Sequence, residues 1–493
     1  MRKRAKVDPK KVIIEDLTTS LTYEKLLLSV NVLSKKLKEE LKDETRIGVY
    51  LPNVVGQVVV LYSLFKNEQD PCLLNFSMGT GSLIDCIETA SLKVVLTSRE
   101  FIKVAELSSV IEEMEKRVQI IYLEDLKAGI TLTQKVKGLI ETKLPSFTSR
   151  KQTNVILFTS GSENKPKGVI LTHRNLYANV KQVLATINIL DTDRIFNPLP
   201  MFHSFGLTAG TLLPTIGNVK TFLYPSPLHY KEIPKFIHKD KSTIMFGTNT
   251  FFGNYEKYAT EEQLKTLKYV VAGAERLRSD VKEKYKNKFN ITLLEGYGAT
   301  ETSPVISLNT PEFIKDGSTG KLLPLMEARI KKVEGIEEGG SLMVKGPNVM
   351  SGYLIHGRGF VSNDEWYDTG DIAKIDEEGY IFILSRLKRF SKIAGEMVSL
   401  NKVEELAFQC FNDSSFFAVA VPDKRKGEKI ILFTTKEDVQ EKEYKKFIKL
   451  HKISSLYIPT TIEYIEKAPI LGAGKINYIE LENIAKELKI GLF

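Results

Sequence analysis

Cysteine is scarce: Cys72, Cys86 and Cys410 are the only three in 493 residues. They form no C-x-x-C pair and are too scattered for a disulfide framework, which excludes a small stapled fold and a zinc ribbon. A reduced, cytoplasmic setting is the expectation that follows. Nor do the six histidines fall at a metal-ligand spacing. Long apolar runs are absent too. The most hydrophobic stretch, residues 47–65, is interrupted by Pro52, Asn53 and Gln57, whereas a membrane-crossing helix needs about 20 predominantly apolar residues. The basic start, Met1 to Lys6, is followed by no apolar segment and is not a secretory signal. There is no 20–50-residue repeat and no low-complexity tract. Acidic residues run short, with 61 against 70 basic ones, giving a net charge of +9. That surplus admits nucleic acid, an anionic membrane, a polyphosphate or an acidic protein as partner.

What is present is the make-up of a globular α/β protein, long enough for about three to four domains or subdomains. Short β-branched runs at 46–51, 93–97, 119–122, 154–158, 194–198 and 242–246 alternate with helical patterns at 23–40, 57–67 and 81–90. Alternation of this kind predicts layered α/β subdomains with mainly parallel sheets. After about Thr310 the strands shorten (328–332, 341–345, 380–384) and a β-rich subdomain is expected. Beyond Arg386, helical 402–411 and 442–452 and strands 416–421 and 429–434 read as a small α+β domain.

Three motifs carry chemistry. In Asn154 to Val169 (NVILFTSGSENKPKGV) a strand runs into a Ser/Gly-rich loop with two lysines, and a helix begins near His173. Hydroxyls, free amides and ammonium groups are what a polyphosphate needs. The spacing is not that of a Walker A loop, and composition alone leaves a solvated turn equally open. In LEGYGATE (294–301) an aromatic between glycines is followed by a hydroxyl and a carboxylate. Such a set can stack a base, touch a phosphate and hold Mg²⁺ through oxygen; a tight structural loop with a packed Tyr fits as well. In WYDTGD (366–371) Asp371 can grip vicinal ribose hydroxyls, or simply shape a turn.

Taken together, the ordered motifs resemble the adenylate-forming superfamily of acyl-CoA synthetases, luciferases and peptide-synthetase adenylation domains. They are FTSGSENKPKGV, LPMFHSFG (199–206), GYGATE (296–301), GSLMVKGPNVMSGYL (340–354), YDTGD (367–371), SRLKRFSKIAGEMVSL (385–400) and GAGKIN (472–477). Finer likeness lies in RFSKIAGEMVSL, LNFSMGTGSLIDCIETASLKVVLTSREF (74–101), VEGIEEGG (333–340) and PILGAGKIN (469–477), which resemble the acyl–acyl carrier protein synthetases. Among these is the ligase half of the bifunctional 2-acylglycerophosphoethanolamine acyltransferase/acyl-carrier-protein synthetase. With no acyltransferase domain ahead of the ligase, a free-standing synthetase is expected. The resemblance implies a large N-terminal adenylation domain, 1–387, and a small mobile α+β lid, 388–493, hinged at Lys388.

The resemblance also implies roles. Thr159, Ser160, Gly161, Ser162 and Lys167 would cradle the β- and γ-phosphates of ATP. Gly273, Ala274 and Glu275 would line the adenine, with Tyr297 stacked on the base and Gly298 beside it. Thr300 would meet the α-phosphate, Glu301 would ligate Mg²⁺, and Asp371 with Arg386 would hold the ribose. Lys475 would bridge carboxylate and α-phosphate, and His203 would stand beside them. Departures are Glu163-Asn164 in the phosphate loop, Ser385 before Arg386, and Arg389 after the hinge. The implied reaction is activation of a medium- or long-chain fatty acid as an acyl adenylate. Transfer to holo-acyl carrier protein follows, with CoA as the alternative thiol. Phe202, Phe205, Leu207, Phe246, Phe251 and Phe252 are candidates for an acyl tunnel, though ordinary core is the commoner fate of a Phe.

Charge narrows the partner. From residue 386 onward there are 19 basic against 15 acidic residues, with clusters at 424–426 and at Lys442, Lys445, Lys446 and Lys449. An acidic carrier protein would be steered by such clusters, as would CoA phosphate or an anionic membrane at the inner face. Nucleic acid is not expected, since no helix-turn-helix, zinc finger or RNA-binding signature is present.

Overall fold

The computed structural model describes residues 2–143, 153–159, 165–393, 396–423, 425–470 and 476–490. Contacts divide the chain into two compact units, 1–327 with 345–367, and 328–344 with 368–493. Six strands and one helix frame the candidate residues: α1 (Thr80–Thr89), β1 (Asn154–Thr159), β2 (Lys167–Thr172), β3 (Leu293–Gly298), β4 (Gly352–Ile355), β5 (Tyr367–Ile375) and β6 (Ile381–Arg386).

The first unit contains an eight-stranded and a nine-stranded sheet. In the eight-stranded sheet Arg46–Val49, Asp70–Leu73, Val94–Thr97, Gln119–Tyr122 and β1 run parallel, as the α/β alternation predicts. One edge then turns antiparallel through β2, β4 and Gly359–Ser362. The nine-stranded sheet has parallel strands at its centre, including Ile244–Gly247 and Tyr269–Ala272, in which every residue is buried. A parallel strand covered on both faces reads as an unbroken apolar run, and IMFG and YVVA do so.

Helix boundaries follow local chemistry. Helix Tyr23–Leu41 starts where the Thr22 side chain accepts from the Lys25 amide, and it buries Leu26, Leu27, Val30, Leu37 and Leu41 on one face. A side-chain acceptor at that position satisfies an otherwise orphaned amide.

The phosphate-loop motif differs from its expected form. Lys167–Thr172 is a strand rather than loop, so residues 160–166 connect two antiparallel strands whose last pair is Thr159↔Lys167. The apolar run Val169-Ile170-Leu171 explains it, buried between β1 and β4. The helix does begin at His173, where Thr172 and Asn175 form a reciprocal capping box.

In the second unit β5 and β6 pair antiparallel in a four-stranded sheet with Glu327–Lys331 and Gly340–Lys345. A five-stranded sheet is built on Phe416–Asp423 paired with Gly427–Thr434. Helices Leu400–Phe411 and Glu441–Leu450 share an apolar core with it through Val403, Leu406, Leu432, Tyr444 and Ile448. Helix Tyr478–Ile490 adds Leu481 and Ala485 to a cluster with Val419 and Phe433. The turn Leu387–Arg389 joins the two sheets. The second unit therefore takes in part of the β-rich stretch, 328–344 and 368–386, and Lys388 lies inside it.

One glycine is dictated by space. A Cβ on Gly298 would lie 2.0 Å from the Pro304 carbonyl oxygen, a backbone atom that cannot step aside. Gly298→Ala is expected to destabilise the fold by about 1–3 kcal/mol, read as a lower urea midpoint at unchanged slope.

Candidate active site

Candidate residues of the first unit fall into two neighbouring groups. The first is built on the hairpin. Lys167 stands opposite Thr159 at its loop end, with the ammonium 5.4 Å from the centre of the Tyr353 ring. The Tyr353 hydroxyl donates to Glu301 Oε1 at 2.9 Å. Tyr367 lies near enough to Tyr353 for the two phenols and the Glu301 charge to act on one another. Burial pushes both phenols well above their ordinary pKa, and the Glu301 charge adds to it, so both remain protonated donors.

The backbone around Glu301 is fixed from below. Met350 N–H donates to the Glu301 carbonyl at 2.8 Å. Fully buried Asn348 donates to the Thr302 and Val305 carbonyls, and Asn175 donates to Pro347 and Val349. The stretch GPNVMSGY thus works as a support: its asparagine holds the Thr300–Thr302 turn and its tyrosine holds the carboxylate. Tyr353 and Tyr367 were not singled out as site residues. The only trace of them in the sequence is their position inside two of the motifs.

The second group surrounds Gly273. Ala274 has φ of +67°, a left-handed conformation uncommon outside glycine, in an exposed turn at the carboxyl end of strand Tyr269–Ala272. Glu275 accepts from the Thr250 amide at 2.9 Å. Buried Glu295 accepts from the Leu277 amide at 3.1 Å and holds the far side of the turn; burial raises its pKa. A Cβ on Gly273 would lie 3.2 Å from the Phe205 ring, so the His203–Phe205 segment and this turn are neighbours. His203 is half-buried against Phe202, with ring centres 4.7 Å apart. Tyr297 lies on β3, and Thr300 opens the short turn after it.

The acyl-tunnel candidates separate. Phe205 packs on Phe246, and Phe202 on Phe76. Phe251 and Phe252 are fully buried against Tyr255, and Phe252 also meets Tyr285, which is ordinary core.

In the second unit Asp371 on β5 stands directly opposite Arg386 on β6. The carboxylate is buried, the guanidinium exposed, and they are 3.3 Å apart. The YDTGD motif is thus part of a strand rather than a turn before one. Lys388 is exposed in the turn after β6. Arg389 is tied down by Glu404 at 2.6 Å and by the Ala418 carbonyl at 2.7 Å, and it stacks on Tyr478. Ser160, Gly161, Ser162 and Lys475 lie outside the described residues, as does Lys424.

The donor sets fit the expected ligands. Glu301 is a half-buried carboxylate already oriented by a phenol, and such an oxygen suits Mg²⁺. A hydroxyl and an ammonium face each other across the loop end of the hairpin, where phosphates are expected. Removing the phenol that orients Glu301 has a defined cost. Tyr353→Phe is expected to lower stability by about 1.5–3 kcal/mol, the range for a hydrogen bond to a charged group, measured by chemical denaturation.

Comparisons with known proteins agree with this geometry. The family described as AMP-binding enzyme matches residues 1–354. A long-chain-fatty-acid–CoA ligase of Salmonella typhimurium is 32% identical over 343 residues, covering 67% of this chain and 61% of that protein. A mitochondrial medium-chain acyl-CoA ligase of Mus musculus is 31% identical over 362 residues, covering 68% and 58%. The matched stretch thus spans about three-fifths of these curated relatives' length. ATP-bound MatB from Rhodopseudomonas palustris superposes with a TM-score of 0.84 at 21% identity, over 98% of each chain. The o-succinylbenzoate CoA synthetase of Bacillus subtilis, bound to its acyl-adenylate, gives 0.81 at 22%, over 98% and 96%. These likenesses show the adenylate-forming fold, and with the family match over nearly three-quarters of its length the chain belongs to the AMP-binding enzyme family.

Proposed function

We propose that the protein is an ATP-dependent acid–thiol ligase that activates a fatty acid. The observation that carries this is the meeting of Lys167, Tyr353 and Glu301 at the loop end of the hairpin, in a chain of the AMP-binding family. In the first half-reaction a carboxylate oxygen attacks the α-phosphorus of ATP. The bond to the β-phosphate breaks and pyrophosphate leaves. In the second, a thiol sulfur attacks the acyl carbon, the bond to AMP breaks, and the thiol proton passes to solvent.

Each residue then has a task. Thr159 and Lys167, with Ser160, Gly161 and Ser162, hold the terminal phosphates. Gly273, Ala274, Glu275, Tyr297 and Gly298 receive the base, and Asp371 and Arg386 the ribose. Thr300 contacts the α-phosphate, and His203 and Lys475 orient the carboxylate. Mg²⁺ on Glu301 would neutralise phosphate oxygens. Catalysis of this kind is electrostatic and positional.

For the thiol, the names of the relatives support CoA over the carrier protein that the finer motifs suggested. They also support a medium- or long-chain fatty acid. No helix among the described residues is long and apolar enough to cross a membrane. Contact with an anionic membrane surface and the cytoplasmic setting stay proposals resting on composition.

The test is ATP–pyrophosphate exchange across a fatty-acid panel, followed by thiolation with CoA and holo-carrier protein side by side. Exchange with a medium- or long-chain acid and faster thioester formation on CoA are expected; no exchange with any acid would overturn the enzyme reading. Lys475→Ala should abolish exchange while ATP still binds. Lys388→Pro should spare exchange and block thioester formation, because a hinge must absorb backbone rotation that proline forbids. Equal loss of both half-reactions would reject that hinge.

A further inference from the structure

Beyond the expected phosphate-binding residues, the connection between β1 and β2 is gripped at its C-terminal end by groups to which the sequence assigns no role. His356 lies just past β4, which pairs with β2 through Gly352↔Ile170, Tyr353↔Val169 and Leu354↔Gly168. That register carries His356 alongside Pro166 and Lys165. Lys165 Nζ is 2.9 Å from His356 Nε2 and 3.2 Å from Asp85 on α1. His356 Nδ1 is 3.2 Å from Thr89 Oγ1, and Thr89 Oγ1 donates to the Pro166 carbonyl at 3.4 Å.

Only one proton arrangement satisfies all of these atoms. Lys165 has donors and no acceptor, so Nε2 must be the bare nitrogen and Nδ1 must carry the hydrogen. The chain then closes as a circuit: Lys165 donates to Nε2, Nδ1–H donates to Thr89, and Thr89 donates to Pro166. A neutral imidazole and a hydroxyl therefore hold two consecutive residues, at a side chain and at a carbonyl.

Asp85, Glu88 and His356 also form a cluster able to ligate a metal. Two of its three members are in contact with the Lys165 ammonium, so the cation this cluster receives is the chain's own. Glu88 is meanwhile paired with Arg117 at 3.1 Å.

We propose that His356 is a positioning residue for the nucleotide site: with Asp85 and Thr89 it anchors Lys165 and Pro166, and so fixes where Lys167 emerges at the loop end of the hairpin. The same strand that covers Lys167 with Tyr353 then also holds the two residues before it. Lys165 is half exposed, and exposed ion pairs contribute little to global stability. The anchor should therefore show in local order and ATP affinity rather than in melting temperature.

This rests on the ATP-binding reading, so the experiment separates the two. Amide hydrogen exchange is followed at Lys165, Lys167 and Gly168 in the full chain without nucleotide, for the native sequence, His356→Leu, His356→Gln and Lys165→Met. ATP with Mg²⁺ is titrated calorimetrically in parallel. His356→Leu and Lys165→Met should each speed exchange about tenfold and weaken ATP binding roughly fivefold, with the melting temperature within about 2 °C. His356→Gln, whose amide oxygen can accept from Lys165, should restore most of both.

Unchanged exchange in His356→Leu and Lys165→Met would overturn the anchor. Faster exchange with native ATP affinity would overturn its positioning role, and a Gln variant as impaired as the Leu variant would reject the hydrogen-bond circuit. Should one variant fail to fold, the other breaks the same contact from its opposite end. If the native chain binds no ATP, the proposed function falls, and the exchange comparison still decides the anchor.

Discussion

A carboxylate drawn half out of water must be given a donor, and Glu301 receives one from β4. Leaving such a charge desolvated without hydrogen bonds is expensive, and the Tyr353 hydroxyl supplies the compensation. That requirement fixes more than one side chain. Tyr353 reaches Glu301 only if β4 keeps its register on β2, because a one-residue slip turns every side chain to the opposite face. The buried amides of Asn348 and Asn175 hold the segment leading into β4 against such a slip. Support for the carboxylate and alignment of the hairpin are therefore a single constraint.

The hairpin imposes its own chemistry. Where a phosphate loop runs into a helix, amides and the helix dipole stabilise the anion. Here a strand follows the loop, and the helix at His173 starts only after six more residues. Among the described residues Lys165 and Lys167 supply the positive charge beside this connection. Lys165 is committed to Asp85 and His356, while Lys167 lies over the face of Tyr353. One lysine is held by its neighbours; the other is left at the loop end of the hairpin.

The large elements were legible in the sequence because burial writes period and composition directly. The strands at 46, 94, 119, 154 and 194 and the helices at 23, 55 and 80 begin within two residues of where the apolar and helical patterns put them. The strand Lys167–Thr172 was missed because Pro166 and two lysines read as loop, although Val169-Ile170-Leu171 carried the signal. Of the site, the residue types in the loop and in GYGATE were legible, and so was Asp371. Its pairing with Arg386 was not, since it depends on the β5–β6 register. Tyr353 with Glu301 is a contact across 52 residues, and His356 with Lys165 one across 191. Such pairs arise from strand pairing, which no local pattern encodes.

The same reasoning changes what the net charge of +9 means. Charge surplus is a property of the whole chain, yet the hairpin shows that a lysine acts only through what restrains it. Lys165 is paired, Lys220 is shared between Glu15 and Asp240, and Lys445 on the basic helix is bridged to Glu441. A paired ammonium has little field left to steer a distant partner, particularly beyond the roughly 8 Å over which physiological salt screens exposed charge. The basic helix Glu441–Leu450 thus carries less usable charge than its four lysines suggest, which weakens the electrostatic case for an acidic protein partner. The charge at the candidate site is local: one ammonium over a phenol whose hydroxyl orients one carboxylate.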